Sequence, residues 1–252
     1  EFLPDRLRCT GEFARQVEQQ LYENFQNQEL FDDDRVTPDW FGVNYDTFFR
    51  LFDIQIHVQH TEMGGHESVG HHFVSVVEDL EDDYDKLKPT AFGVDKESTR
   101  AKFESISQTI GDILPVRMKM DCLYSVPTQM VVHFMSMENM MFNMYDYPEL
   151  FKEMMDRIAE DTLAYYRMLE KEHLILPTVS YEGVGQGTWA FTNELPGYDE
   201  IGKRIFTPKD VWGFMDSQET VGISPQMYEE FIFPCYKKIS EQYGLLSYGC
   251  CE

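Results

Sequence analysis

The sequence predicts an α/β fold in which helices cross over a parallel sheet. Two observations carry that prediction. The second half of the chain alternates strand, helix, strand, helix, strand, the order that a parallel sheet with crossover helices requires. The chain is 252 residues long and 42% hydrophobic, enough for one large core. Neither a short-period repeat nor a low-complexity linker divides it. Residues 1–252 therefore read as a single domain, with 1–37 as a helical lead-in.

The elements follow from local pattern. Thr10 stands as an N-cap, and Phe13, Val17, Leu21 and Phe25 recur every four residues, so the first element is a helix. "FDDDRVTPDW" ends it with acids and Pro38. "WFGVNYDTFF" and "DIQIHVQ" read as short strands, and "HTEMGGHESVGHH" as a loop, while "FVSVVEDL" is ambiguous. "DKESTRAKFESISQTIG" is a helix capped by Asp95, striped by Phe103, Ile106 and Ile110, and stopped by Gly111. "ILPVRMKMDC" alternates and reads as a strand. Long helical regions cover "TQMVVHFMSMENMMFNMY" and "PELFKEMMDRIAEDTLAYYRMLEKE", the second with Pro148 in its first turn. A strand is expected around "LILPTVSY", then a Gly-rich loop "EGVGQGTW" and a polar loop "TNELPGYDE". "VWGFMD" is a strand. "SPQMYEEFIFPCYKKISEQYG" is a helix with Ser224 as N-cap, Pro225 at its first position, a kink at Pro234 and Gly244 as its stop. "LLSYGCC" closes the chain as a strand. About six strands are visible where a closed parallel barrel needs about eight. The last strand reaches the final residue and the chain does not begin with Met, so both ends are expected to be incomplete.

Charge and cysteine usage exclude several classes. A net charge of −24 repels phosphate backbones and anionic lipid, so neither nucleic acid nor a membrane surface is an expected partner. No apolar run has the length of a membrane span, and no signal-peptide pattern is present. Five cysteines, an odd number with no CxxC pair, read as reduced thiols in a cytoplasm.

Side chains alternate faces along a strand. Leu246, Tyr248, Cys250 and Glu252 therefore share one face of the closing strand, and Cys251 lies on the other. If that strand ends at an active site, Cys250 and Glu252 form a thiolate–carboxylate pair suited to zinc; the alternative is packing for Cys250 and solvation for Glu252. In "VRMKMDC", Arg117 and Lys119 share a face with Asp121. They suit an anionic substrate group or, alternatively, buried ion pairs. Asp216, Gln218 and Glu219 follow the strand "VWGFMD", and Asn193 and Glu194 lie in "FTNELPG". Such carboxylates and amides suit acid–base work, metal ligation and substrate contacts, and equally suit capping. Five of the seven histidines fall between His57 and His72, but their spacing matches no zinc pattern, so the stretch reads as a loop. Eight of the fourteen methionines lie between Met118 and Met144, which reads as core packing.

The run "DILPVRMKMDCLYSVPTQMVVHFMSMENMMFNMYDYPELFKEMMDRIAEDTLAYYRML" resembles the uroporphyrinogen decarboxylase superfamily, in which a strand, a Pro-Thr turn and a helix precede a "D-x-P-E-L" helix start. "DSQETVGISPQMYEEFIFPCYKKI" resembles its "D-S … SP-x-x-F-x-x-F-x-x-P-x-x-K-x-I" segment. The resemblance covers roughly residues 84–252. It implies a (β/α)8 TIM barrel, here incomplete at both ends. It also implies corrinoid-linked methyl transfer to or from a thiol or a methoxylated substrate, with a small-molecule substrate, a corrinoid protein as partner and a homodimer as assembly. The family's thiol methyltransferases bind zinc through a strand-end His-x-Cys and a later Cys. This sequence has Tyr248-Gly249-Cys250 there, so Cys250 matches, Tyr248 does not, and Glu252 stands as a replacement ligand. In an ether-cleaving variant, Tyr248, Glu219 and Glu252 are candidates for the acid that protonates the leaving oxygen. The decarboxylases, which need no cofactor, carry an Arg-rich "RQAGR" strand that is absent here, which counts against porphyrinogen as substrate. Decarboxylation of a tetrapyrrole or related carboxylate is the second expectation. A non-catalytic small-molecule-binding barrel is the third.

Overall fold

The computed structural model describes residues 6–30, 37–60, 71–185 and 187–249. In chain order the elements are α1 (Glu12–Leu30), β1 (Phe41–Asn44), β2 (Asp46–Arg50), β3 (Val58–His60), β4 (His71–Phe73), α2 (Leu80–Asp83), β5 (Ala91–Asp95) and α3 (Lys96–Ile110). Then come β6 (Val116–Lys119), β7 (Leu123–Tyr124), α4 (Pro127–Met135), α5 (Met137–Asp146), α6 (Pro148–Lys171), β8 (Gly183–Val184), β9 (Thr188–Trp189), β10 (Trp212–Met215), α7 (Pro225–Met227), α8 (Phe233–Ser240) and β11 (Leu245–Tyr248). They form two compact units, one of residues up to 46 with 95–119, the other of 47–94 with the residues from 120 on.

The smaller unit is two helices on a two-stranded parallel sheet, β1 beside β6. Alternation decides its faces. Phe41 and Val43 of β1, with Val116 and Met118 of β6, pack with Val17 and Leu21 of α1 and with Phe103, Ile106 and Ile110 of α3. Asp95 caps α3, its carboxylate accepting from Ser98 N at 2.8 Å. Gln20 ties α1 to the sheet by donating to the Gly42 carbonyl at 2.9 Å.

The larger unit is built round α6. Phe151, Met154, Met155, Ile158, Ala159, Thr162, Tyr166 and Leu169 recur at helical spacing and are buried. Each large apolar side chain on that stripe contributes about 1.5–3 kcal/mol. Met135, Met140 and Met144 are also buried, as core packing requires. The helical region expected over 128–145 is two helices, because Ser136 adopts φ 72°, ending α4 and capping α5 through its hydroxyl. Pro234 disturbs its helix as expected. Residues Tyr228–Ile232 form a π-turn, and Phe233 N bonds the Tyr228 carbonyl.

Among the described residues the expected (β/α)8 barrel, whole or partial, does not form. Among the described residues the strands pair in separate sheets of two or three. The largest is β11-β10-β7, all parallel, with Phe214 opposite Ser247 and Tyr124, and Met215 opposite Tyr248. The strand expected around "LILPTVSY" is missing from it. Residues 174–178 are buried, but Pro177 has no N–H, and the Thr178 hydroxyl, not a backbone carbonyl, accepts from Trp212 N at 2.8 Å. Gly183 then reaches the sheet through single bonds, from Cys122 N at 3.0 Å and to Asp121 Oδ1 at 3.0 Å. The remaining pairs are β2–β5, the antiparallel hairpin β3–β4 and the short hairpin β8–β9. Among the described residues no helix is long and apolar enough to cross a membrane.

Candidate active site at the end of the central strand

Parallel pairing brings the C-terminal ends of β7, β10 and β11 to one edge of the sheet. The segments that leave the three strands therefore meet there: 125–128 leading into α4, 216–220 after β10, and Gly249 after β11. Ser125 N donates to Phe214 O at 3.0 Å and Gly249 N to Met215 O at 3.1 Å, extending both ladders past their strands.

Asp216 leaves β10 almost wholly buried, at 2% exposure, and its Oδ1 has no hydrogen-bond partner. Burial first, and the charge of nearby Glu219 second, hold its carboxyl above the usual range; the backbone N–H of Gln218 acts the other way. Glu219 sits on the 3₁₀ turn Gln218–Thr220 and is partly exposed. Its Oε2 lies 2.9 Å from Thr128 Oγ1, in the first turn of α4. Thr128 Oγ1 is 2.7 Å from the phenol oxygen of Tyr236 on α8, and that phenol donates to the Asp216 carbonyl at 2.6 Å. Burial raises the Tyr236 phenol well above its ordinary value, so it stays protonated.

A second group of hydroxyls lies on the α8 side of the sheet. Tyr248 bonds Ser217 and lies 3.3 Å from the phenol of Tyr228, which Ser217 also approaches at 3.4 Å. They border an open cavity of about 790 Å³ whose walls include Met215, Phe233 and Leu246. Burial pushes the Tyr228 phenol up to about 12.

The structure thus brings together Asp216 and Glu219 and places Gln218 beside them, exposed. Tyr248 belongs to the cavity: its register with Met215 puts it on the α8 face, where it partners Ser217 rather than Glu219. Asn193 and Glu194 are exposed on the loop after β9. Arg117 and Lys119 belong to the smaller unit, Arg117 with its guanidinium 6.0 Å above the Trp40 ring, and Lys119 with its stem against Gly42. Cys250 and Glu252 lie outside the described residues. Among the described residues no three His, Cys, Asp or Glu side chains are placed to hold a metal, so no zinc donor set is defined by them. Thr128 and Tyr236 were not singled out from sequence. The Pro-Thr pair opening α4 and the phenol two residues after Pro234 were the available signals. No family model matches the chain, and no curated protein and no solved structure matches it.

Proposed function

We propose that this chain is an enzyme of the uroporphyrinogen decarboxylase superfamily that demethylates a methoxylated small molecule, with Glu219 as general acid and Asp216 as its partner. The supporting observation is the buried Asp216 carboxyl, with one unbonded oxygen, beside a second carboxyl that reaches solvent. Burial and the neighbouring Glu219 charge both disfavour the ionised form of Asp216, so that carboxyl keeps its proton to higher pH than an ordinary one. The sequence resemblance supplies the reaction class and the pair supplies the acid.

In this reaction the O–CH3 bond breaks with its electron pair left on oxygen. The methyl group passes to a corrinoid carried by a partner protein, which supplies the electron pair for the new bond. The leaving oxygen takes the proton of Glu219, and the pair is reprotonated from water. General acid assistance of this kind contributes about 10²- to 10⁴-fold. A porphyrinogen's carboxylates find negative charge at this site, so decarboxylation has less support. The thiols fit a cytoplasmic location.

The test is conversion of a methoxyphenol to the corresponding dihydroxybenzene by the full chain with a reduced corrinoid protein. Glu219→Gln is expected to lower kcat by about 100-fold or more. Absence of the demethylated product from the wild type, with carbon dioxide release from uroporphyrinogen instead, discards this function for the decarboxylase.

A further inference from the structure

Three hydroxyls stand together in the cavity on the α8 side of the sheet, and they hold more protons than they use on one another. Ser217 and Tyr248 are in close contact. The Tyr228 phenol is not: its oxygen lies 3.4 Å from Ser217 Oγ and 3.3 Å from the Tyr248 phenol. A firm O–H···O bond spans about 2.5–3.0 Å, so both contacts are loose. Three hydroxyls carry three protons, and the close contact uses one. Two remain, one on Tyr228 and one on whichever of Ser217 and Tyr248 accepts. Burial raises the Tyr228 phenol to about 12, so it stays a donor at neutral pH. The backbone puts these groups in place. The register of β11 with β10 sets Tyr248 opposite Met215, and Ser217 follows two residues on. Tyr228 opens the π-turn Tyr228–Ile232 ahead of Pro234. Ser217 is 8% exposed, so one of the donors belongs to the folded interior and not to the open surface.

The rest of the cavity, about 790 Å³ in all, has the apolar side chains of Met215, Ile223, Phe233 and Leu246 in its walls. That volume lies within the about 300–1,000 Å³ of small-molecule sites. Its other hydroxyls, on Thr220, Tyr236 and Ser240, already donate to backbone carbonyls. Among the described residues that line it none is an acid, and Lys237 is the one cation. Lys237 lies roughly 13 Å further along the helix than Tyr228 and faces Glu241 at 3.8 Å. Two neighbouring protons without a charge beside them suit an uncharged oxygen with two lone pairs, which is a carbonyl. An anion is disfavoured by the chain's net charge of −24. The rings of Tyr228, Phe233 and Tyr248 suit a flat partner. We propose that this cavity binds an uncharged aromatic molecule through its carbonyl oxygen, with Tyr228 and the Ser217–Tyr248 pair as the donors.

Methyl NMR of the full chain, labelled with ¹³C at methionine, reads occupancy directly because Met215 lines the cavity. Met215→Leu assigns its signal. Acetophenone is expected to shift that signal in a saturable titration, and so is ethylbenzene, which has a similar shape but no oxygen. Tyr228→Phe removes only the phenol oxygen. It is expected to weaken acetophenone about fivefold and to leave ethylbenzene as it was. Ser217→Ala, which takes away a second donor, is expected to act in the same sense. An unmoved Met215 signal at the solubility limit of acetophenone overturns the site. Equal changes for both ligands in both variants overturn the carbonyl contact, and benzoate binding more tightly than acetophenone overturns the uncharged class. Uptake of acetophenone needs neither Glu219 nor a corrinoid protein. A chain that binds it and demethylates nothing therefore keeps this site and loses only the proposed function.

Discussion

The phenol of Tyr236 donates to the backbone carbonyl of Asp216 across 2.6 Å, so α8 is fastened to the strand end that carries both carboxyls. Tyr236 is 4% exposed and its oxygen also accepts from Thr128 N. Removing that oxygen leaves a buried carbonyl and a buried N–H without partners. Tyr236→Phe is therefore expected to cost about 1–3 kcal/mol in urea unfolding with an unchanged m-value, although it removes a single atom. A midpoint equal to wild type contradicts the bridge.

Asp216 sets a pH dependence of definite sign. Its carboxyl is held above the usual range in the folded chain, by burial first and Glu219 second. Below about pH 4 both folded and unfolded chains carry the proton and no difference arises. As pH rises, the unfolded chain loses it first. The folded state then binds more protons, and stability falls until the folded value is passed. Asp216→Asn cannot titrate. It is expected to match wild type in acid and to gain on it progressively toward neutral pH, as read by thermal melts across that range. A gap that stays constant with pH, or narrows, removes Asp216 as the source.

Asn143 is a buried amide bonded through both its oxygen and its nitrogen. Its Oδ1 accepts from Leu80 N at 2.7 Å, and its Nδ2 donates to the carbonyls of Glu78 at 2.9 Å and Asn139 at 2.7 Å. It joins α5 to the N-terminus of α2, a helix too short to hold itself. Asn143→Ala is expected to destabilise by about 2–4 kcal/mol. Amide hydrogen exchange should show the loss concentrated at Leu80. Protection there unchanged from wild type contradicts this role for Asn143.

Helices were legible in the sequence because their signals are local. The Asp95 and Ser224 caps and the Pro148 start each lie within one or two turns, and the α6 stripe repeats within one helix. Sheet closure is not local. "LILPTVSY" has the apolar character of a buried strand and is buried, but periodicity reports burial and not pairing; the Thr178 hydroxyl takes the bond that a strand neighbour would supply. The same distinction divides the site. Asp216 and Glu219 stand out as carboxyls after a strand. Thr128 lies 108 residues from Tyr236, and no local pattern in the sequence joins the two. Alternation along β11 correctly grouped Leu246 with Tyr248, but only the register with β10 shows that their face is the one toward α8.

The thiols give a final prediction, because burial acts on their chemistry as it does on Asp216. Desolvation pushes Cys122 up to about 11 and Cys235 up to about 12, with Asp121 adding to the first and Asp156 to the second. The thiolate is the reacting form, and an ordinary cysteine ionises near 8.5. Cys122 therefore presents about three-hundredfold less thiolate at neutral pH than an unperturbed cysteine, and Cys235 about three-thousandfold less. Cys235 is also 2% exposed, so a reagent meets it only when α8 opens. Iodoacetamide on the folded chain, followed by peptide mass mapping, is expected to label Cys235 last and Cys122 slowly, with both labelled fully and fast in urea. Early modification of Cys235 under native conditions contradicts the packing of α8 against α6, and with it the position of Tyr236 one residue further on.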